Sequence, residues 1–137
     1  MGPAELGRIG PVPDHVRLRI PATAGHVGLA RATATALAAR LDFTYDRLMD
    51  LHIAIDEASG RILAMSDPPA RRLDVTFDVA EDALQISVQG DSPLKSGAEF
   101  LNAWSKLILD SVAEDLHELL DTGMAGVRFV VKRGEPA

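Results

Sequence analysis

The sequence predicts a two-layer α/β sandwich of the α+β type, in which helices cover one face of a mixed, mostly antiparallel sheet. Three observations predict this fold class. Apolar residues alternate with polar ones in several short segments, which is typical of half-buried strands. They recur every three or four residues in three longer segments, which is typical of amphipathic helices. Along the chain these segments have the order β-α-α-β-β-α-β-β, and helices packed on one face of a sheet give two layers.

Five segments are predicted to be strands. Residues 15–20 alternate valine, leucine and isoleucine with arginine, and residues 72–79 and 84–88 form a hairpin around the turn-forming AEDA. Residues 115–122 and 126–133 are predicted to close the sheet as a pair around a glycine turn. The first of these two segments could instead extend the helix that precedes it.

Three segments are predicted to be helices. Residues 24–41 carry valine, alanine and leucine at three- and four-residue steps, and residues 45–65 carry a similar stripe of leucine, isoleucine and alanine. After a predicted loop at residues 89–97, a third helix is predicted at residues 98–113. Trp104 belongs to the apolar side of that helix, so we expect it to lie in the core or against the sheet, and the alternative is that it lines a partner groove.

The chain has the length of one ordinary domain. Its 137 residues, 47% of them hydrophobic, are enough to bury a single core. We expect a flexible segment at residues 1–13, which are rich in glycine and proline, then one domain at residues 14–133 and a tail at residues 134–137. No apolar stretch is long enough to span a bilayer and no signal-peptide pattern opens the chain, which predicts a soluble, cytoplasmic protein.

Composition excludes several classes of function. The formal net charge is −6 and the isoelectric point is about 5.1, so the chain lacks the basic stripe that binds a nucleic-acid backbone. The absence of cysteine excludes disulfides, thiolate zinc sites and a cysteine nucleophile. The four histidines are scattered without the spacing of metal ligands, so no metal site is predicted. These exclusions leave proteins and small molecules as the predicted classes of partner.

A long uninterrupted run carries a family resemblance. The segment from Val16 to Met65, VRLRIPATAGHVGLARATATALAARLDFTYDRLMDLHIAIDEASGRILAM, closely resembles the first half of the anti-sigma factors of the RsbW and SpoIIAB type. These have the GHKL (Bergerat-like) fold, also called the histidine-kinase-like ATPase domain. The resemblance continues more loosely over residues 14–133. It implies a homodimer in stress-response partner switching, which sequesters a SigB/SigF-type sigma factor until a STAS-domain anti-anti-sigma factor releases it.

The resemblance also implies where a nucleotide site would fall, because active kinases of the family use MgATP to phosphorylate a serine of the anti-anti-sigma partner. Glu57 matches the family's catalytic base, but Arg61 stands where an asparagine coordinates magnesium. Gly90 and Asp91 stand, out of register, where an Asp-x-Gly-x-Gly motif would read the adenine. The lid is short, and Trp104 lies where a glycine-rich turn would cradle the phosphates.

Arg61 decides how these positions are interpreted. A guanidinium has no lone pair for magnesium and stays charged, so it repels the ion that the site must hold. We expect it to form an ion pair with Glu57, four residues earlier on the same helix face. The alternative is that it grips a phosphate directly through bidentate bonds. This pattern resembles degenerate actinobacterial members of the family such as UsfX. The pattern predicts that the protein binds no cofactor, and the alternative is that it binds ATP and magnesium.

Arg31 is the candidate partner-binding residue. The resemblance implies that an arginine at this place on the first helix touches both the sigma factor and its antagonist, so that the two compete. Arginine is also enriched among the few residues that dominate binding energy. Neighbouring Ala30 and Ala34 would let a partner helix approach closely, or would serve internal packing. The prediction is an anti-sigma factor without kinase activity, and the alternative is an ATP-dependent serine-protein kinase that acts on an anti-anti-sigma factor.

Overall fold

The computed structural model describes residues 14–120 and 123–135. Over these residues the strands are β1 (His15–Pro21), β2 (Arg72–Val79), β3 (Ala83–Pro93), β4 (Glu114–Glu118) and β5 (Met124–Lys132). The helices are α1 (Val27–Arg40), which a 3₁₀ turn (Ala24–His26) precedes, α2 (Tyr45–Met65) and α3 (Ala103–Val112). The predicted flexible segment at residues 1–13 and the end of the predicted tail lie outside the described residues.

The five strands form one sheet in the order β1-β2-β3-β5-β4. All four pairings in it are antiparallel, so over the described residues the sheet is antiparallel throughout rather than mixed. The connections explain this. Between β1 and β2 the chain runs through two helices, so it re-enters the sheet where β1 ended and pairs Pro21 with Arg72. A short turn then joins β2 to β3, and hairpin strands are antiparallel.

The helices cover one face of the sheet, and the other face is polar. Along β2, Leu73, Val75 and Phe77 are fully buried beneath the helices. Asp74 and Thr76 alternate with them, are half-buried and point to the opposite face, because successive side chains of a strand point to opposite sides. The core therefore lies between the sheet and the helices, and the predicted two-layer fold is confirmed.

The central helix is α2, which packs on β3 and β5 and contacts α1 and α3. Thr44 caps its N-terminus, since Oγ1 accepts a hydrogen bond from the main-chain nitrogen of Arg47 at 3.2 Å. On α1, Ala30 and Ala34 are fully buried, so they serve internal packing and leave no surface for a partner helix. None of the helices in the described part of the chain combines the length and apolar character needed to cross a membrane.

The third helix begins later than predicted, at residue 103 rather than 98. Asn102 caps it, since Oδ1 accepts a hydrogen bond from the main-chain nitrogen of Ser105 at 2.8 Å. From this start the buried side of α3 is formed by Ser105, Leu109 and Val112. The expectation that Trp104 lies in the core is wrong: it falls beside that face and is 67% exposed.

The third strand runs further than predicted, through Pro93, so the first part of the predicted loop at residues 89–97 is strand. The segment after α2 holds it in place. The main-chain nitrogen of Asp67 donates to the carbonyl of Pro93 at 2.9 Å, and that of Lys95 donates to the carbonyl of Met65 at 2.7 Å. The residues after α3 do not extend that helix. They form β4, which pairs with β5.

Candidate functional site

Arg61 binds main-chain carbonyls rather than a carboxylate. Its Nε donates to the carbonyl oxygen of Phe100 at 2.7 Å, and its Nη2 donates to that of Glu99 at 2.9 Å. The expected ion pair between Arg61 and Glu57 does not form, although both residues are described. The planar guanidinium instead supplies donors to two successive carbonyls, one of them on the fully buried Phe100. These bonds fasten the segment at residues 94–102 to the C-terminal half of α2.

Glu57 is half-buried, and among the described residues its carboxylate has no hydrogen-bond or ion-pair partner. A carboxylate of this kind can accept a proton or a hydrogen bond from a bound molecule. Holding a metal needs more ligands, and within residues 14–120 and 123–135 there is no group of three or more histidine, aspartate or glutamate side chains that could do so.

Gly90 is buried in β3 beneath α2. A Cβ atom at this position would lie 2.8 Å from Cγ2 of Ile62 and 3.5 Å from Cβ of Ala70. Glycine therefore lets the helix and the strand approach closely, which is one recognised use of glycine inside a strand. Its small size serves the packing of the core.

The carboxylate of Asp91 fixes the start of β2. Its Oδ1 accepts hydrogen bonds from the main-chain nitrogens of Arg71 at 2.8 Å and Arg72 at 3.2 Å. Burial raises the pKa of Asp91, but hydrogen bonds from the main-chain nitrogens of Arg71, Arg72 and Asp91 itself, together with the charge of Arg72, outweigh it, so the pKa lies below its ordinary value. The side chain is thus ionised, and its Oδ1 already accepts hydrogen bonds from the main chain.

We call Glu57, Arg61, Gly90 and Asp91 the nucleotide-position group. They lie on two elements that pack against each other, Glu57 and Arg61 on α2 and Gly90 and Asp91 on β3. Three of the four make structural interactions within the chain. Four clefts of 180 to 290 Å³ are lined by described residues, and none of these four includes a member of the group.

Arg31 lies elsewhere, on the surface where α1 meets α2. Its Nη1 donates to Oδ1 of Asp56 at 2.5 Å, and the two side chains are 38% and 52% exposed. Beside this pair, Oγ1 of Thr35 donates to the carbonyl of Arg31 at 2.9 Å and lies 2.8 Å from Nε2 of His52. His52 is therefore a hydrogen-bonded residue at the boundary of the core. These contacts tie α1 to α2.

Next to the Arg31–Asp56 pair is a cleft of about 230 Å³ between the start of α1 and the middle of α2. We call it the α1–α2 cleft. Ser59 and Gly60 line it and were not predicted as functional residues. Nothing local distinguishes them, since small residues are common on helices that pack against each other. Their role depends on what α1 places opposite them.

Comparison with known proteins shows that the sequence is similar to several serine-protein kinases named RsbW. No family model matches it. The serine-protein kinase RsbW of Bacillus velezensis is 39% identical over 83 residues, which are 58% of this chain and 52% of that protein. RsbW of Bacillus subtilis is 34% identical over 83 residues, again 58% and 52% of the two chains. RsbW of Bacillus cereus is 28% identical over 112 residues, 81% of this chain and 68% of its own.

The chain is distantly homologous to RsbW. The resemblance of the sequence to this type of protein is thereby confirmed at the level of distant homology. The chain spans about half the length of the first two RsbW proteins. The likeness to degenerate members such as UsfX stays a prediction, as do the roles of Arg31 and of the nucleotide-position group.

Proposed function

We propose that the protein is an anti-sigma factor without kinase activity. In this proposal it acts as a homodimer, sequesters a SigB/SigF-type sigma factor, and is released by a STAS-domain anti-anti-sigma factor. Distant homology to RsbW supports membership of the anti-sigma and kinase group of proteins. One observation supports the proposed lack of kinase activity. Arg61 binds the carbonyls of Glu99 and Phe100, and it stands at the position where a kinase of this type has its magnesium ligand.

Two features of Arg61 and one of Asp91 oppose MgATP binding. Magnesium takes oxygen ligands in an octahedral arrangement, and a guanidinium offers positive charge and no lone pair. The bonds to Glu99 and Phe100 also hold the segment at residues 94–102 against α2, where a lid would need freedom to close over phosphates. Finally, Oδ1 of Asp91 already accepts hydrogen bonds from the main-chain nitrogens of Arg71 and Arg72, so only Oδ2 is left to accept one from an adenine amino group.

The surface around Arg31 retains the properties of a binding site. Both members of the Arg31–Asp56 pair are partly exposed, so a partner carboxylate can reach the guanidinium and replace Asp56. Exposed ion pairs contribute little to folding, and breaking this one therefore costs little. A partner that buries the arginine would form charge-assisted hydrogen bonds with it, which are stronger than neutral ones.

The test uses the purified protein and a purified SigB/SigF-type sigma factor, with size-exclusion chromatography coupled to light scattering. We expect a defined complex. Arg31→Glu should weaken it by at least about tenfold, as is common for an arginine at an interface centre. Arg40→Glu is the matched control, because Arg40 lies on the same helix, is exposed and also pairs with an aspartate. Failure to bind any sigma factor of this type would overturn the proposal.

The second candidate function is an ATP-dependent serine kinase acting on an anti-anti-sigma factor. Two observations favour it: the relatives are named serine-protein kinases, and Glu57 keeps a carboxylate without a partner among the described residues. Transfer of labelled phosphate from ATP to a STAS-domain serine measures it directly. We expect no transfer. Transfer that Glu57→Gln abolishes would establish the kinase instead.

A further inference from the structure

The α1–α2 cleft has a buried floor and an exposed mouth. Val27 and Ser59 form the floor and are 5% and 1% exposed. Ala24 and Gly60 lie at the mouth and are exposed to solvent. The lining is therefore small and largely apolar, and the cleft opens on the same surface that carries the Arg31 side chain.

Ser59 gives this cleft an unsatisfied polar group. Its hydroxyl oxygen is buried and, within the part of the chain that the structure describes, has no hydrogen-bond partner. Serine in a helix often donates to the carbonyl four residues earlier, as Ser66 does to Ile62 at 2.7 Å. Ser59 makes no such bond. A buried hydroxyl without a partner is costly, and one that borders a cleft can recover that cost when an occupant supplies a donor or acceptor.

Gly60 keeps the mouth of the cleft open. It lies inside the longest helix, where glycine is less favourable than alanine. No packing contact explains it, since a Cβ atom at Gly60 would meet nothing within 4 Å. By contrast, a Cβ atom at Gly90 would collide with α2. Gly60 therefore lines the cleft without serving the packing of the domain.

Size and charge limit what can occupy this site. A volume of about 230 Å³ lies below the range of roughly 300–1,000 Å³ that is typical of small-molecule sites. It suits a single side chain that projects from another protein. The rim carries one cation, Arg31, and one anion, Asp56, so it complements a partner surface that bears both signs of charge. The apolar walls and the hydroxyl together suit a side chain with an apolar stem and an uncharged polar tip.

We propose that the sigma factor inserts one such side chain into the α1–α2 cleft, where its polar tip hydrogen-bonds the hydroxyl of Ser59. The inference rests on the proposed function and adds to it a specific anchoring pocket. In the complex, the inserted stem displaces solvent between Val27 and Gly60, and the charges of Arg31 and Asp56 orient the partner at the rim.

The first test fills the pocket. A Cβ atom at Gly60 meets nothing within 4 Å, so Gly60→Leu adds a side chain at the mouth of the cleft from a position that tolerates one. We expect the protein to fold normally while its affinity for the purified sigma factor falls by more than about tenfold. Ala64→Leu is the matched control, because it adds the same side chain at an exposed position of the same helix outside the cleft. That variant should bind as the wild type does. Calorimetric titration gives the affinities, and circular dichroism reports the fold.

The second test removes the polar group. Ser59→Ala deletes a hydroxyl that makes no bond in the free protein, so the thermal midpoint should stay unchanged or rise. The affinity for the sigma factor should fall by about threefold to tenfold, as expected for the loss of one hydrogen bond. If the wild type binds the sigma factor and both Ser59→Ala and Gly60→Leu bind equally well, the pocket is refuted and the proposed function stands. If the wild type does not bind a sigma factor, the proposed function and the pocket are refuted together.

Discussion

The nucleotide-position group and the α1–α2 cleft differ in how their polar groups are used. In the first, Arg61 and Asp91 hydrogen-bond to main-chain atoms, and Gly90 packs against α2. In the second, Ser59 has a buried hydroxyl without a partner among the described residues, and Arg31 pairs with a partly exposed aspartate.

This difference separates groups that stabilise the fold from groups that are available to a partner. A side chain that satisfies main-chain carbonyls or amides cannot leave them without exposing an unpaired polar group, which costs free energy. An exposed ion pair exchanges partners at little cost. Substitutions of Arg61, Gly90 and Asp91 should therefore lower the free energy of unfolding, whereas substitutions around the cleft should change binding with little effect on stability.

The largest effect on stability is expected at Gly90. Gly90→Ala places a methyl group 2.8 Å from Ile62, so it should lower the free energy of unfolding by about 1–3 kcal/mol through overpacking. Gly60→Ala is the matched control, with open space around its Cβ, and should raise the same quantity by up to about 1 kcal/mol. Urea denaturation measures both. Equal effects at the two glycines would mean that Gly90 is not packed as described.

A smaller loss is expected at Arg61. Arg61→Met keeps much of the aliphatic stem but removes the two hydrogen bonds to Glu99 and Phe100, which should cost about 1–2 kcal/mol of unfolding free energy. Hydrogen exchange should accelerate in the segment at residues 94–102, since it loses its fastening to α2. Arg61→Lys should recover less than half of the loss, because an ammonium lacks the planar fork. Full recovery by lysine would indicate that only the charge matters.

Asp91 should make stability depend on pH. Its folded-state pKa is lowered, so its contribution is present above the unfolded-state pKa of about 3.9 and is lost as pH falls through the lower folded-state value. Asp91→Asn should accordingly be less stable than the wild type near neutral pH. The difference should shrink as the pH is lowered below about 4. Unfolding curves of both proteins across that range test this, and a difference that grows on acidification would contradict it.

The smallest effect on stability belongs to the Arg31–Asp56 pair. Both side chains are more than one-third exposed, so Asp56→Ala should change the free energy of unfolding by less than about 0.5 kcal/mol. A change several times larger, measured by urea denaturation, would show that the pair is part of the fold and is not free to exchange partners.

The fold could be predicted from the sequence where periodicity was strong. The buried alternation of β2 and the long apolar stripe of α2 carry most of the core, and both were predicted with the observed bounds. The errors came from local signals that tertiary contacts overrode. Gly90 and Pro93 are typical of a loop, yet both belong to β3, because Gly90 pairs with β2 while Pro93 pairs with β5 and accepts a hydrogen bond from the segment after α2. The cap at Asn102 makes α3 begin later than its apolar pattern predicts and leaves Trp104 outside the core.

The site was less predictable because its interactions join distant parts of the chain. Arg61 was expected to pair with Glu57 along one helix, but its partners lie 38 and 39 residues away. The bond from Arg31 to Asp56 likewise spans 25 residues. The unpaired hydroxyl of Ser59 depends on what α1 leaves open above it. Helical spacing predicts neighbours on one helix and gives no information on neighbours from another.

We propose that Arg61 closes the nucleotide position and leaves the domain as a binding protein. Calorimetric titration of the purified protein with ATP in the presence of magnesium tests it most directly. We predict no saturable heat at micromolar or millimolar ATP. Saturable micromolar binding that requires magnesium and is lost in Glu57→Gln would contradict the account.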